Sequence, residues 1–242
     1  MAGRLQDRVA IVSGAGSSGP GWGNGKAAAV TYAWEGAKIV ALDINIDAAQ
    51  ETASIIREEG GICLPIACDV IQPGEVEKAV ASTIEEFGAI DVLHNNVGIS
   101  KAETMESLSV ENWDLILDTN LKSMFLTCRT VLPHMVRQRK SAIVNISSIT
   151  ALRYARRSLL AYGTSNAGVL GLTALLRLST PRAVYAPIRF CLATSIRHLS
   201  GRKYPTIRNR LSPMSRNVKH GVRWAVWAQL GRRQCQPFSG VG

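Results

Sequence analysis

From residue 8 to residue 178 the chain alternates short apolar runs with longer stretches in which apolar residues recur at helical spacing. The apolar runs predict five strands, at residues 8–13, 37–42, 62–67, 90–94 and 142–146. The longer stretches predict helices at residues 25–35, 48–59, 73–87 and 161–178, and two helical segments within 107–136 that meet near Asn120. This alternation predicts a single α/β domain, a doubly wound parallel sheet with helices on both faces.

Sheets of this kind bind ligands at the carboxyl ends of their strands. The predicted strands end at or next to residues whose side chains or backbone suit ligand binding: Gly14, Asp43, Asp69, Asn96 and Ser148. We therefore expect one functional site along this edge of the sheet.

A glycine-dense loop from Gly14 to Gly25 joins the first strand to the first helix. Glycines allow a sharp turn and a close approach of a pyrophosphate to the backbone, and a helix N-terminus attracts that anion. The strand–loop–helix context favours a nucleotide site. By itself, a glycine-rich loop would equally suit a flexible surface loop.

Asp43 ends the second predicted strand, about 20 residues beyond the glycine loop. A carboxylate there can accept hydrogen bonds from the adenosine ribose hydroxyls, and it repels a 2′-phosphate. Asp43 therefore predicts NAD rather than NADP as the cofactor. The alternative role of a helix N-cap is better met by Asp47.

Charge is unevenly distributed along the 242 residues. All 18 acidic residues lie between Asp7 and Asp118, whereas 21 of the 28 basic residues follow Asp118. Such asymmetry is typical of a nucleic-acid- or membrane-binding tail, and also of sequence that was never selected to fold.

The five cysteines and four histidines show neither a C-x-x-C pair nor metal-ligand spacing. They predict reduced thiols, a cytoplasmic location and no metal. No apolar leader and no run of ~18 apolar residues is present, so we expect neither a signal peptide nor a membrane span.

Tyr162 begins the last predicted helix, and Ser148 ends the fifth strand. A tyrosine can act as a general acid toward a carbonyl if its pKa falls from ~10, and a neighbouring serine can hold the substrate oxygen. Taken singly, Tyr162 would equally suit a helix surface, and Ser147-Ser148 a strand-end turn.

Together these motifs resemble the short-chain dehydrogenase/reductase family, from about residue 5 to about residue 175. The matching pieces are Ser13-Gly14 to Gly25, Asp69-Val70, Asn95-Asn96-Val97-Gly98, Asp118-Thr119-Asn120, Asn145-Ile146-Ser147-Ser148 and Tyr162. The resemblance implies a Rossmann-like fold at residues 1–176, a homodimer or homotetramer, and hydride transfer between NAD(H) and a secondary alcohol or carbonyl substrate.

By the same resemblance, the catalytic residues are Ser148, which orients the substrate oxygen, Tyr162, which passes the proton, and Asn120, which helps to hold a proton-relay water. The implied cofactor-binding residues are Gly14, Gly23, Gly25, Asp43, Asp69, Val70, Asn96, Gly98 and Tyr162.

Two departures from the family pattern fall within the matched region. The glycine loop is about five residues longer than usual, so Gly23 and Gly25 take the last two glycine positions, and we expect Pro20 and Trp22 to arch outward. The family lysine that lowers the tyrosine pKa is replaced by Asn166. We expect this replacement to reduce turnover strongly.

Residues 177–242 show no clean periodicity and no family motif, so we treat them as a separate basic segment. It is either a nucleic-acid-binding tail or the product of a reading-frame shift. Codons for Leu230 to Val241, read one base later, can give Trp-Asp-Val-Ala-Asn-Ala-Asn-Leu-Phe-Leu-Ala-Ser, which resembles a stretch near the family's C-terminus. We therefore favour the frameshift and expect no specific nucleic-acid partner.

The sequence thus predicts an NAD-dependent oxidoreductase with a small alcohol or carbonyl substrate. The alternative is a non-catalytic dinucleotide-binding or nucleic-acid-associated protein with a basic tail.

Overall fold

The computed structural model describes residues 3–19, 21–153, 158–178 and 188–195. Six strands form one sheet in the order β3-β2-β1-β4-β5-β6, and every neighbouring pair is parallel. The strands are β1 (Val9–Ser13), β2 (Lys38–Asp43), β3 (Cys63–Ala67), β4 (Val92–Asn95), β5 (Ser141–Ser148) and β6 (Ile188–Ser195).

The helices connect consecutive strands. They are α1 (Asn24–Trp34), α2 (Ile46–Glu58), α3 (Pro73–Phe87), α4 (Val110–Leu117), α5 (Ser123–Gln138) and α6 (Leu160–Leu178). A π-helical turn at Asp118–Lys122 joins α4 to α5, and a short 3-10 helix at Ile149–Ala151 follows β5. The predicted doubly wound parallel sheet is confirmed.

Apolar layers cover both faces of the sheet. Val9 and Ile11 of β1 pack in a cluster with residues of α3 and α5, whereas Ala10 and Val12 pack in a second cluster with α1 and α2. Because both faces are buried, the central strands are nearly continuous apolar runs. This explains why their positions could be predicted from hydropathy alone.

Strand β6 lies in the segment for which the sequence showed no periodicity. Its eight residues pair in register with β5, from Ser141 opposite Ile188 to Ser148 opposite Ser195. Regular structure therefore continues beyond α6, within the segment in which the sequence showed no clean periodicity. The remainder of the predicted basic segment, residues 179–187 and 196–242, lies outside the described residues.

Two local predictions near the glycine loop need correction. Asn45, and not Asp47, caps α2, since its side chain accepts a 3.0 Å hydrogen bond from the Asp47 amide. Trp22 does not arch outward, because it is partly buried against the cluster beneath α1 and α2. Pro20 lies outside the described residues.

Candidate active site

The glycine loop brings the start of α1 into direct contact with the end of β1. Gly14 has a φ of +64°, and a Cβ atom at Gly25 would lie only 1.8 Å from the Gly14 carbonyl oxygen. A side chain at residue 25 would therefore force the helix away from the strand. The N-cap Gly23 offers no side-chain cap and the first turn of α1 holds no acidic residue, so no carboxylate of that turn offsets the helix dipole.

Gly16 is a loop residue that the sequence analysis missed. Its amide donates a 2.9 Å hydrogen bond to Asp43 Oδ2, and a Cβ atom there would lie 2.5 Å from the Ala48 Cβ atom. The close packing of loop, β2 and α2 therefore requires glycine. The Gly14-x-Gly16 spacing was the available signal in the sequence.

Asp43 is held at the end of β2 by two backbone amides. Besides the contact from Gly16, its Oδ1 accepts a 3.0 Å hydrogen bond from the Asn45 amide. The side chain is half-buried, and each carboxylate oxygen has a second lone pair. The carboxylate is thus fixed beside the glycine loop and can still accept hydroxyl donors.

Asp69 and Val70 follow β3 and have different surroundings. Asp69 is half-buried, its amide donates to Glu75 Oε2 at 2.7 Å, and its Oδ1 accepts from the Ile71 amide at 3.2 Å. The Val70 side chain is buried in the apolar cluster beneath α3. Any contact from Val70 to a ligand must therefore come from its main chain.

Asn96 connects the ends of β4 and β1. Its Nδ2 donates a 3.1 Å hydrogen bond to the Gly14 carbonyl, and its amide donates to Ser13 Oγ at 3.3 Å. Gly98, two residues later, is exposed, and the atom nearest to a Cβ atom there would be Asn120 Oδ1, at 3.6 Å. The Asn96 side chain thus fixes the glycine loop against β4.

Asn120 lies in the π-helical turn and is 3% exposed. Its Oδ1 accepts a 2.8 Å hydrogen bond from the Ile99 amide, and its Nδ2 donates to the Ile99 carbonyl at 2.9 Å and to Ser165 Oγ at 3.0 Å. The Asn120 side chain therefore connects the segment that follows β4 to helix α6. Ser165 and Ile99 are partners that no sequence motif indicated.

Ser148 ends β5 and is almost fully buried. Its Oγ accepts a 3.3 Å hydrogen bond from the Thr150 amide and so caps the short helix that follows. The preceding Ser147 donates a 3.0 Å hydrogen bond to the Asn166 carbonyl of α6. That bond fixes the position of α6 relative to the end of β5.

Tyr162 lies in the first turn of α6 and is half-buried. Asn166, one turn later, is 5% exposed, and its Nδ2 donates to the Tyr162 carbonyl at 2.8 Å. The side chain that replaces the family lysine is thus turned back onto its own helix. It brings no positive charge toward the Tyr162 ring.

A buried hydrogen-bond network supports the strand ends beneath the site. Asn95 Nδ2 donates to Asn145 Oδ1 at 2.9 Å, Thr127 donates to Asn95 Oδ1 at 2.8 Å, and Asn145 Nδ2 donates to Thr173 Oγ1 at 3.0 Å. The network ties β4 and β5 to α5 and α6. Such fully paired groups fix the relative positions of the elements that carry the candidate residues.

Burial shifts the pKa values of several groups below the site. It lowers the pKa of His94 to about 4, so the ring is neutral near pH 7, and Tyr32 shares a 2.9 Å hydrogen bond with its Nδ1. Burial also raises the pKa of the thiols of Cys63 and Cys128 to about 12. These thiols are therefore protonated, unreactive core groups.

An apolar pocket of about 270 Å³ lies between the start of α4 and the start of α6. Its lining residues are Met105, Leu108, Ser109, Val110, Trp113, Leu160 and Thr164. Leu160 and Thr164 are four residues apart and share one side of α6, whereas Tyr162 is about 200° around the helix from Leu160. The pocket therefore opens on a different side of α6 from Tyr162.

Within the described ranges, no group of three His, Cys, Asp or Glu side chains is arranged to hold a metal ion. In the same part of the chain, none of the helices combines the length and the hydropathy needed to cross a membrane.

Comparison with known proteins agrees with this arrangement. The family described as short chain dehydrogenase matches residues 8–186. The chain is similar to 2-(R)-hydroxypropyl-CoM dehydrogenase of Xanthobacter autotrophicus, with 42% identity over 69% of this chain and 66% of that protein. It is also similar to the 3-oxoacyl-[acyl-carrier-protein] reductase FabG of Thermotoga maritima, with 33% identity over 70% and 67%.

Solved structures show the same fold. A short-chain dehydrogenase/reductase from Burkholderia xenovorans superposes with a TM-score of 0.76 at 37% identity, over 80% of this chain and 75% of that one. One from Mycobacterium marinum superposes with a TM-score of 0.72 at 31% identity, over 78% and 74%.

The chain spans about two thirds of the length of the curated relatives that it matches, 66% and 67% in the two named above. The family match ends at residue 186, beyond the boundary at residue 176 that the sequence predicted. The match covers the glycine loop, the ends of five strands and the first turns of α6, so the chain belongs to the short-chain dehydrogenase/reductase family.

Proposed function

We propose that the protein is an oxidoreductase that transfers a hydride between NAD(H) and a secondary alcohol or carbonyl substrate. The observation that carries the proposal is the Ser147–Asn166 hydrogen bond, since it ties α6, on which Tyr162 lies one turn before Asn166, to the end of β5 next to Ser148. The glycine loop lies at the same edge of the sheet. A dinucleotide bound across this edge would meet the proton-transfer residues.

The glycine loop has the features that a dinucleotide needs. The close contact of Gly25 with Gly14 holds the N-terminus of α1 against the end of β1, and the first turn of α1 contains no acidic residue that would compete with a pyrophosphate. Gly14, Gly23 and Gly25 would hold the pyrophosphate, Asp43 the adenosine ribose, and Asp69 with the Val70 main chain the adenine. Asn96 and Gly98 would line the approach to the nicotinamide.

When bound, the nicotinamide ring supplies the hydride acceptor or donor. In the oxidation direction the Ser148 hydroxyl, whose oxygen already accepts from the Thr150 amide, donates the hydrogen bond that orients the substrate oxygen, and the Tyr162 phenolate takes the proton of the substrate hydroxyl. Reduction reverses the transfer, so the Tyr162 hydroxyl then gives its proton to the carbonyl oxygen. The proton therefore passes through one atom, the Tyr162 phenolic oxygen.

Asn120 has a supporting place in this scheme. Its side-chain amide is already committed to Ile99 and Ser165. A proton-relay water would therefore be held by main-chain atoms of the π-helical turn, whose hydrogen-bond pattern differs from that of the flanking helices.

The substrate is proposed only as a small alcohol or carbonyl compound. Relatives carry names such as D-threitol dehydrogenase and cyclohexanol dehydrogenase, at 37% and 32% identity. These names share alcohol oxidation and differ in substrate shape. We also propose a homo-oligomer, supported by the exposed apolar side chains of Leu115 on α4 and Phe125 on α5.

The non-catalytic alternative is favoured by two features of the sequence, the absence of a cation at residue 166 and the basic segment at residues 177–242. Two measurements on the same preparation separate it from the enzyme: NADH binding by fluorescence, and NAD-dependent oxidation across a panel of secondary alcohols. Binding with turnover that is lost in Tyr162→Phe and Ser148→Ala supports the enzyme. Binding without any turnover at pH 7 to 10 supports a non-catalytic dinucleotide-binding protein. Absence of NADH binding contradicts the enzyme, and together with salt-sensitive binding of random-sequence DNA it supports a nucleic-acid-associated protein.

A further inference from the structure

Lys26 is a buried cation at the base of the glycine loop, and none of the roles proposed above uses it. Its side chain is 1% exposed, although lysine is rarely buried to this extent without a partner. It also lies in the first turn of α1, where the helix dipole disfavours a positive charge. A lysine in such a place needs compensating contacts.

Those contacts join the loop to α2. Lys26 Nζ lies 2.9 Å from Glu51 Oε1 of α2 and donates a 3.4 Å hydrogen bond to the Gly21 carbonyl. Ser17 Oγ donates to the same carbonyl at 3.0 Å and accepts from the Gly23 amide at 2.8 Å. The side chains of Lys26 and Ser17 thus both hold the outer part of the loop by hydrogen bonds to the Gly21 carbonyl.

The adjacent residue of α2 fastens the inner part of the loop. Thr52 donates a 2.8 Å hydrogen bond to the Ala15 carbonyl and is fully buried. Two consecutive residues of α2 therefore hold the loop at two points. Thr52 binds the Ala15 carbonyl directly, and Glu51 pairs with Lys26, which donates to the Gly21 carbonyl.

The loop needs such fastening because of its composition. It contains six glycines, at residues 14, 16, 19, 21, 23 and 25, and glycine loses more conformational entropy on ordering than any other residue. Gly21 has a φ of +104° and no atom within contact distance of a Cβ position, so side-chain packing does not fix it. A loop ordered only on binding would lower the affinity for its ligand.

We propose that Lys26 is a positioning residue, which acts through the Gly21 carbonyl and Glu51 to keep the glycine loop in its dinucleotide-binding shape before the cofactor arrives. The inference rests on the proposed function. In this role Lys26 does not itself contact the cofactor. Its effect is therefore confined to ligands that carry the pyrophosphate.

The test compares Lys26→Met and Glu51→Gln with the unmodified chain in binding of NADH, ADP-ribose and adenosine. Both variants should weaken NADH and ADP-ribose about ten-fold, the equivalent of ordering roughly one further backbone residue on binding. Binding of adenosine, which has no phosphate, should stay unchanged. Lys26→Arg should restore most of the affinity, and Lys78→Met, which removes an exposed lysine of α3, should change nothing.

Each other outcome is decisive. Loss of affinity in Lys26→Met but not in Glu51→Gln would show that Lys26 acts directly on the phosphates, which overturns the positioning role. An equal loss for adenosine would show general damage to the fold and overturn it as well. Should Lys26→Met not fold, Glu51→Gln decides alone, since the Glu51 side chain is 63% exposed.

The outcome for the unmodified chain separates this inference from the proposed function. If the unmodified chain does not bind NADH, the proposed function and the role of Lys26 both fail. If the unmodified chain and both variants bind NADH equally well, only the role of Lys26 fails.

Discussion

The side-chain amide of Asn166 donates a 2.8 Å hydrogen bond to the main-chain carbonyl of Tyr162, one turn earlier in α6. A side chain that bonds backward in this way is satisfied within its own helix and does not reach toward the tyrosine ring. The two residues are therefore connected through the backbone and not through the phenol. This relationship leads to the first prediction.

Asn166→Lys should increase kcat for alcohol oxidation at pH 7 by roughly 100-fold, because an ammonium group near the phenol stabilises the phenolate that takes the substrate proton. The pH at which the rate is half-maximal should fall in the same variant. Steady-state kinetics from pH 6 to 10 measures both quantities. Ala167→Lys, at the exposed neighbouring position of α6, is the matched control. Equal kcat values in the unmodified chain and Asn166→Lys would refute the prediction.

Asp43→Ala should reduce the proposed preference for NADH over NADPH, because it removes the carboxylate that would repel a 2′-phosphate. We expect NADH affinity to fall about ten-fold and NADPH affinity to rise, as measured by titration of cofactor fluorescence at low ionic strength, where charge repulsion is least screened. Asp47→Ala on α2 is the control for loss of a nearby carboxylate. An unchanged ratio of the two dissociation constants would contradict the assignment of Asp43.

Because of His94, the free energy of unfolding should decrease as the pH falls. Burial lowers the pKa of His94 to about 4, whereas the unfolded value is near 6.5, so the unfolded chain binds a proton first. The stability from neutral His94 is therefore complete above pH 6.5 and is lost as the pH falls toward 4. At pH 5 the loss is about 2 kcal/mol.

Urea unfolding of the unmodified chain and of His94→Gln at pH 7 and pH 5 isolates this effect, because the other titrating groups are common to both proteins. The difference between the two free energies of unfolding should change by about 2 kcal/mol between the two pH values. A pH-independent difference would show that His94 does not lose its proton on folding.

Two glycines of the site should respond differently to alanine. Gly25→Ala places its methyl group 1.8 Å from the Gly14 carbonyl oxygen, whereas Gly98→Ala meets nothing closer than 3.6 Å. We expect Gly25→Ala to lose NADH binding and to lower the melting temperature by several degrees. Gly98→Ala should retain its melting temperature. Any loss of NADH affinity in that variant would therefore indicate that the added methyl group lies where the bound cofactor approaches the main chain. Similar thermal stability of both variants would contradict the observed packing of α1 on β1.

The reading-frame interpretation of residues 177–242 is tested by sequencing the encoding DNA from about codon 160 past codon 242. We expect a single insertion or deletion whose correction restores the Trp-Asp-Val-Ala-Asn-Ala frame. A confirmed frame would instead make the basic segment genuine. Salt-sensitive binding of random-sequence DNA would then be the next measurement.

The sequence by itself determined the positions of the first five strands and of α1 to α6. Strands buried on both faces are continuous apolar runs, and Gly14, Asp43, Asn96 and Ser148 interrupt or end those runs at one edge of the sheet. Local composition therefore predicted the order of the elements and the edge of the sheet at which the candidate site lies. It did not indicate β6, because that strand is specified by its pairing with β5.

Only the tertiary structure decided how the site residues are held. Three examples show this: Asn120 binds Ile99 and Ser165, Gly16 binds Asp43, and Lys26 pairs with Glu51. Each contact joins residues that are 21 to 45 positions apart in the sequence. Such contacts leave no periodic signal, because they depend on which strand ends become neighbours in the sheet. The same reason explains Asn166, since only its burial beside β5 and its bond to Tyr162 reveal which way the side chain turns.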